Sequence, residues 1–256
     1  MSSPITDEEV VKSINQLKWS KAAGRNGIPP SFYKSALSSL VPYLKDLFNA
    51  IFDNGEFPSI WNIGMIVPLF KSGNVSDPSN YRGISLLNIS GKLFATILER
   101  RLRAWVDINE LLDEGQAGFR PEYSTTDNLF TLQSLCTKYL SRSGGRFYCA
   151  FIDFKKAFDS VDRKKLLFLL HTKGCHGKMY NILRSMYESV SSCVRSSSGI
   201  TETFDTSTGV RQGCVLSPLL FNFFINELVI SSYESSNNGV FITQSIDKCR
   251  LSSKIW

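Results

Sequence analysis

The 256-residue chain carries 29 Lys+Arg against 23 Asp+Glu, a net charge of +6. That excess suits a polyanionic partner and argues against an acidic, solvating chain. A hydrophobic fraction of 43% is ordinary for a globular protein, and a chain this long buries a real core. The polar, acidic start, Met1 to Glu9, is no secretory signal, and the most apolar stretch, 215–230, is interrupted by Asn222, Asn226 and Glu227, which opposes a membrane span. The six cysteines contain no Cys-x-x-Cys pair, and His171 and His176 flank no ligand cluster. A zinc site and a disulfide scaffold are therefore not expected, and the cysteines read as reduced packing thiols in an intracellular protein, with nucleus and cytoplasm not separated.

In chain order, Thr6 and Glu9 form a possible capping box ahead of Val10, Val11, Ile14 and Leu17, which share one helical face. A loop follows at 20–30, with two glycines, a proline pair, Lys21 and Arg25. It is either an exposed turn or a phosphate-touching loop. The pattern over 32–52 is helical, with a break or restart expected at Pro42. Residues 63–70 read as a strand. Leu93, Ile97, Leu98, Leu102, Trp105 and Val106 form a helical stripe, with Lys92, Arg100, Arg101 and Arg103 on a solvated face or a nucleic-acid track. Another helix opens near Thr125–Asp127.

The run 147–152 is almost wholly apolar and predicts a strand buried on both faces, ending at Asp153. Helices are expected from Asp162 to Gly174 and over 178–190, then a hairpin within 193–208 around Ser197-Ser-Gly199. Gly209–Gly213 reads as a loop, and Ser217 and Pro218 suit the cap and first turn of an apolar helix over 216–232. Helices and strands mix without regular alternation, which favours an α+β fold.

Two stretches carry chemistry. In Phe151-Ile-Asp-Phe-Lys-Lys-Ala-Phe-Asp-Ser-Val161, Asp153 sits at the expected exit of a buried strand. There it either caps a turn or shares a hard cation with a nearby carbonyl. In Gly209-Val-Arg-Gln-Gly-Cys-Val-Leu-Ser-Pro218, a glycine-flanked Arg-Gln pair leads into a helix, and the glycines allow close approach to a flat substrate.

Together these stretches resemble the palm motifs of reverse transcriptases of non-LTR, LINE-like retrotransposons. Lys21-Ala-Ala-Gly-Arg-Asn-Gly-Ile-Pro29, Ile66-Val-Pro-Leu-Phe-Lys71, Asn80-Tyr-Arg-Gly-Ile-Ser-Leu86 and Gln116-Ala-Gly-Phe-Arg-Pro-Glu-Tyr-Ser-Thr-Thr-Asp127 resemble the same family, in the family's order. The wording is closer to LINE-like elements than to group II intron or telomerase-like enzymes.

The resemblance implies a right-hand polymerase: residues 1–60 as an N-terminal extension of the fingers and 61–256 as fingers and palm. Asp153 would be a catalytic metal ligand for Mg²⁺, helped by the Phe154 carbonyl. Phe158 would lie under the incoming nucleotide's sugar. Gln212 and Gly213 would flank the nascent base pair. Lys71 would contact phosphate, Arg82 would lie near the incoming triphosphate or the template, and Arg120 would touch the template. Asp159 would order its turn. The implied reaction is two-metal RNA-directed DNA synthesis from an RNA template, a DNA primer and deoxynucleoside triphosphates, with no membrane.

The family pattern also includes a pair of adjacent aspartates on a later palm strand. This sequence contains no Asp-Asp pair, and Asp247 stands beside Lys248 and Arg250. Gly239–Ile242 reads as the start of the approach to that strand. The expectation is a chain truncated before that motif, with an incomplete palm sheet and no thumb, inactive alone. The alternative is a non-catalytic remnant that binds RNA or an RNA–DNA hybrid.

Overall fold

The computed structural model describes residues 1–234, 240–243 and 252–255. The backbone divides into two compact units, residues 1–105 with 158–217 and residues 106–157 with 218–256.

The first unit opens with α1, Asp7–Asn15. The expected capping box is formed: the Thr6 hydroxyl accepts from the Glu9 amide and the Glu9 carboxylate accepts from the Thr6 amide. Helices α2, Pro30–Ser35, and α3, Leu37–Asn54, follow. The break expected at Pro42 falls instead at Ala36, and Pro42 lies inside α3. Pro42 only withholds a donor from the Ser38 carbonyl, whereas Ala36 has left helical geometry (φ −101°, ψ 22°). A 3₁₀ turn, Ser59–Trp61, leads into strand β1, Ile63–Phe70, which matches the sequence reading.

Strand β2, Tyr81–Leu86, pairs antiparallel with β1, from Met65 opposite Leu86 to Phe70 opposite Tyr81. Helix α4, Ile89–Ile108, follows. Its inner residues Leu93, Phe94, Ile97, Leu98 and Leu102 are almost fully buried. Phe94 packs among Phe48, Phe57 and Trp61, with ring centroids 5.3, 6.2 and 6.4 Å away. Two of the cations on this helix are consumed locally. Arg101 grips the Glu9 carboxylate through Nε (2.7 Å) and Nη2 (2.6 Å) and also donates to the Ser3 and Pro4 carbonyls, tying down the N-terminus. Arg103 pairs with Glu99 one turn back at 2.6 Å.

Later in the first unit, α6, Arg163–Thr172, is capped by the Asp162 carboxylate, which accepts from two backbone amides. Helix α7 is Gly177–Glu188. Strand β3, Ser191–Ser196, runs parallel to β1, with Ile63 opposite Ser191. The short strands β4, Gly199–Ile200, and β5, Phe204–Asp205, both pair antiparallel with β3. The resulting sheet orders β2-β1-β3-β4, with β5 also on β3. Cys193, within β3, and Cys175, between α6 and α7, are fully buried, as packing thiols.

The second unit contains α5, Thr125–Leu140, opened by a Ser124–Asp127 capping box. It also holds α8, Ser217–Glu234, up to its end, and an antiparallel pair of strands, β6, Val240–Thr243, with β7, Ser252–Ile255. The two asparagines that argued against a membrane span are buried polar anchors. Asn222 donates to the Gly118 carbonyl and accepts from Gln116 Nε2 at 3.1 Å. Asn226 accepts from the Asp113 amide at 2.8 Å and donates to the Leu111 carbonyl at 3.1 Å. Among the described residues, no helix is long and apolar enough to cross a membrane.

One expectation fails. Residues 147–152 are not a buried strand: the segment has no regular structure, and Tyr148 (58%), Phe151 (57%) and Ile152 (45%) are exposed. A strand persists only with ladder partners. Among the described residues, β1–β5 pair with one another and β6 pairs with β7, so no ladder reaches 147–152. An apolar run encodes a preference for burial, not the partner that would supply it.

Candidate nucleic-acid interface

The loop at 209–213 in the first unit is fastened on every side. Its first residues bond to the turn after Asp153: the Gly209 amide donates to Val161 O and the Val210 amide to Phe158 O, both at 2.8 Å. Gly209 holds φ +83°, and an added Cβ would lie 2.8 Å from the backbone of Asp159, so only glycine fits there. The loop's other end meets β2. The Ser85 amide donates to Gln212 O at 3.0 Å, and a Cβ on Gly213 (φ +116°) would come within 2.6 Å of Ser85 O. This seats Gln212 and Gly213 against the strand that carries Arg82. Arg82 is half-buried and lies opposite Leu69 in the β1–β2 ladder; Lys71, exposed, follows directly after β1.

Two guanidiniums complete the fastening. Arg163 donates to the carbonyls of Gly209 (2.8 Å), Thr208 (2.9 Å), Tyr187 (3.5 Å) and Thr206. Arg211 donates to Asn62 O (2.7 Å), Asn62 Oδ1 (2.6 Å) and Trp61 O (3.4 Å). Burial pulls both guanidiniums below their ordinary pKa, yet arginine stays charged, so these are charge-assisted bonds to carbonyls. Burial, aided by Cys214, pushes the neighbouring Tyr187 phenol upward, so it stays neutral. A cavity of about 250 Å³ lies between these groups, lined by Ser85, Asp159, Arg163, Thr208, Arg211 and Gln212.

The structure thus gathers Lys71, Arg82, Phe158, Gln212 and Gly213 in one unit. The remaining expected site residues belong to the second. Asp153 and Phe154 lie in the exposed loop. Arg120 donates to Asp113 O (2.9 Å) and Gln116 O (3.3 Å) and stacks 4.2 Å over the Tyr123 ring. It borders a cavity of about 700 Å³ with Asp107, Glu110, Glu114 and Glu122, a setting that repels phosphate.

The family model for reverse transcriptase (RNA-dependent DNA polymerase) matches residues 71–252, from the end of β1 through both motif stretches. This chain is a member of the reverse transcriptase family. Its relatives include a probable RNA-directed DNA polymerase from transposon BS of Drosophila melanogaster, 31% identical over 88% of this chain and 25% of that protein. A probable RNA-directed DNA polymerase from the X-element transposon of the same fly is 28% identical over 97% of this chain and 28% of that protein. The RNA-directed DNA polymerase from its mobile element jockey is 27% identical over 88% of this chain and 25% of that protein. The chain spans about a quarter of the length of these relatives. Telomerase from Candida albicans, solved with a fragment of telomeric RNA, shares the fold at a TM-score of 0.52 and 13% identity, covering 89% of this chain and 42% of that one.

Reverse transcriptases work with divalent metal ions. Among the described residues, no group of three or more His, Cys, Asp or Glu side chains is placed to hold one, and Asp153 sits on an exposed loop. What the sequence reading missed is the pair Arg163 and Arg211. Arg163 stands in the basic cluster Arg163-Lys-Lys165, which looks like a solvated helix start, and Arg211 is the unassigned middle of Val-Arg-Gln. The available signal was that Arg211 lies between two glycines in a loop that must be held rigid to be useful.

Proposed function

We propose that this chain is the fingers and palm of the RNA-directed DNA polymerase of a non-LTR retrotransposon, with residues 1–60 extending the fingers and 61–256 forming the fingers and palm. It copies an RNA template from a DNA primer using deoxynucleoside triphosphates. The observation that supports this most is the 209–213 loop, bonded at one end to Phe158 and Val161 and at the other to β2. On this reading Gln212 and Gly213 flank the nascent base pair, Phe158 lies under the incoming sugar, Lys71 contacts phosphate and Arg82 lies near the triphosphate or the template, and the fixed geometry of the loop supports it. Asp153, with the Phe154 carbonyl, is the proposed ligand of Mg²⁺, together with carboxylates that the described residues do not bring to it. Arg120 contributes by bracing the 113–116 turn.

Primer extension on an oligo(dT)-primed RNA with Mg²⁺ tests the proposal, beside Asp153→Ala. Extension by the chain and none by the variant supports it. Extension that survives Asp153→Ala refutes the role of Asp153. A second reading, a holder of RNA–DNA hybrid without chemistry, is favoured by the lack of a carboxylate cluster among the described residues. It predicts no extension but hybrid binding that weakens steeply with salt, because phosphate contacts release counterions. Salt-independent binding would sink it.

A further inference from the structure

The mechanism implied by the motifs assigns nothing to Arg163, although it is a buried cation of the first unit with four hydrogen bonds to backbone carbonyls. Its residue is only 8% exposed, and its guanidinium reaches four backbone carbonyls from three places: the end of α7, the residues after β5, and the loop itself. A planar fork with five donors matches such a spread of acceptors; a lysine ammonium is a single point with three donors and cannot span it. The carbonyl of Gly209 belongs to the same peptide plane as the Val210 amide, which donates to Phe158 O. Fixing one end of that plane fixes the other. Arg163 therefore couples the orientation of the Gly209–Val210 peptide to the segment holding Phe158, and through it the approach angle of Gln212 and Gly213.

We propose that Arg163 is a positioning residue that sets the 209–213 loop so that Gln212 and Gly213 meet an RNA–DNA hybrid in one fixed geometry. The proposal rests on the reading of that loop as the nucleic-acid contact. It makes no contact between Arg163 and phosphate, since the guanidinium is buried and spent on carbonyls.

The test uses the full chain and a fluorescent oligo(dT)–oligo(rA) hybrid, with anisotropy titrations over a salt series. The variants are Arg163→Lys, Gln212→Ala and the double substitution. Arg163→Lys keeps a charge at the site, so folding is preserved more readily than in Arg163→Ala, and a cooperative circular-dichroism melt checks it. The expected result is hybrid binding weaker by on the order of tenfold in Arg163→Lys, the loss that accompanies a broken charge-assisted bond. The slope of log affinity against log salt should not change, because no phosphate contact is removed. The double variant should bind no worse than the weaker single one, since both act through one loop. Hydrogen exchange at the Gly209 and Val210 amides should quicken in Arg163→Lys. Wild-type-like binding by Arg163→Lys, a salt slope lowered by about one, or additive losses would each overturn the proposal. No hybrid binding by the unaltered chain would sink the underlying reading of the loop, and this result is distinct from binding that is indifferent to Arg163.

Discussion

Gly213→Ala tests whether the loop is fixed to β2 by sterics as well as by hydrogen bonds. At φ +116° an L-residue is strained, and its Cβ would stand 2.6 Å from the Ser85 carbonyl oxygen. Ser85 cannot yield cheaply, because β2 is laddered to β1 over six residue pairs. The loop must move instead, stretching the 3.0 Å bond from the Ser85 amide to Gln212 O. The backbone strain costs about 1–3 kcal/mol and the weakened hydrogen bond about 1 kcal/mol, which together predict a loss of about 2–4 kcal/mol. Urea unfolding monitored by fluorescence, extrapolated linearly to water, reads this directly. Gly27→Ala is the control: Gly27 has φ +73° but nothing within 4 Å of an added Cβ, so strain alone applies, about 1 kcal/mol. If Gly213→Ala costs no more than Gly27→Ala, the close approach of the loop to β2 is wrong.

Three further outcomes follow from the packing and the ionisable groups. Phe94→Ala empties the centre of the Phe48–Phe57–Trp61 cluster and should cost about 3–5 kcal/mol by chemical denaturation, while a loss under about 1 kcal/mol would contradict the burial of Phe94. For Glu9, burial raises the carboxyl pKa, but hydrogen bonds from Arg101 and Thr6 outweigh it and hold the folded value below the ordinary one. The ion pair's contribution is therefore present at neutral pH and is lost as pH falls through the folded value. The stability gap between the native chain and Glu9→Gln should close below about pH 4, and a gap unchanged from pH 7 to pH 3 would refute it. Burial pushes the Cys175 thiol up to about 11, and it and Cys193 are fully enclosed, whereas Cys149 is exposed. Iodoacetamide followed by peptide mapping should find Cys149 labelled in the native chain and Cys175 and Cys193 only after unfolding.

Much of the local structure was legible in the sequence because it is encoded within a turn or two of chain. Thr6 with Glu9 and Asp162 each start a helix through bonds that span two or three residues. Residues 63–70 read as a strand, and the glycines of 209–213 marked a loop. The family motifs were legible for the same reason: each is a short string whose residue types are constrained together, and their order along the chain made the likeness specific.

The tertiary structure alone decided which of those pieces meet. The apolar run 147–152 declared a wish for burial but could not name a ladder partner, and among the described residues none reaches it. The motif around Arg120 did not reveal that its donors reach the Asp113 and Gln116 carbonyls among acidic neighbours. The motifs assigned no bond to Arg163 or Arg211, yet Arg163 is buried, Arg211 is half-buried, and both clamp carbonyls that lie up to 46 and 150 residues away in the chain. Short-range bonds are fixed by neighbouring residue types, so sequence determines them. A guanidinium's acceptors, or a strand's partners, are fixed by which distant backbone groups burial has left unpaired, and that balance is settled only when the chain has packed.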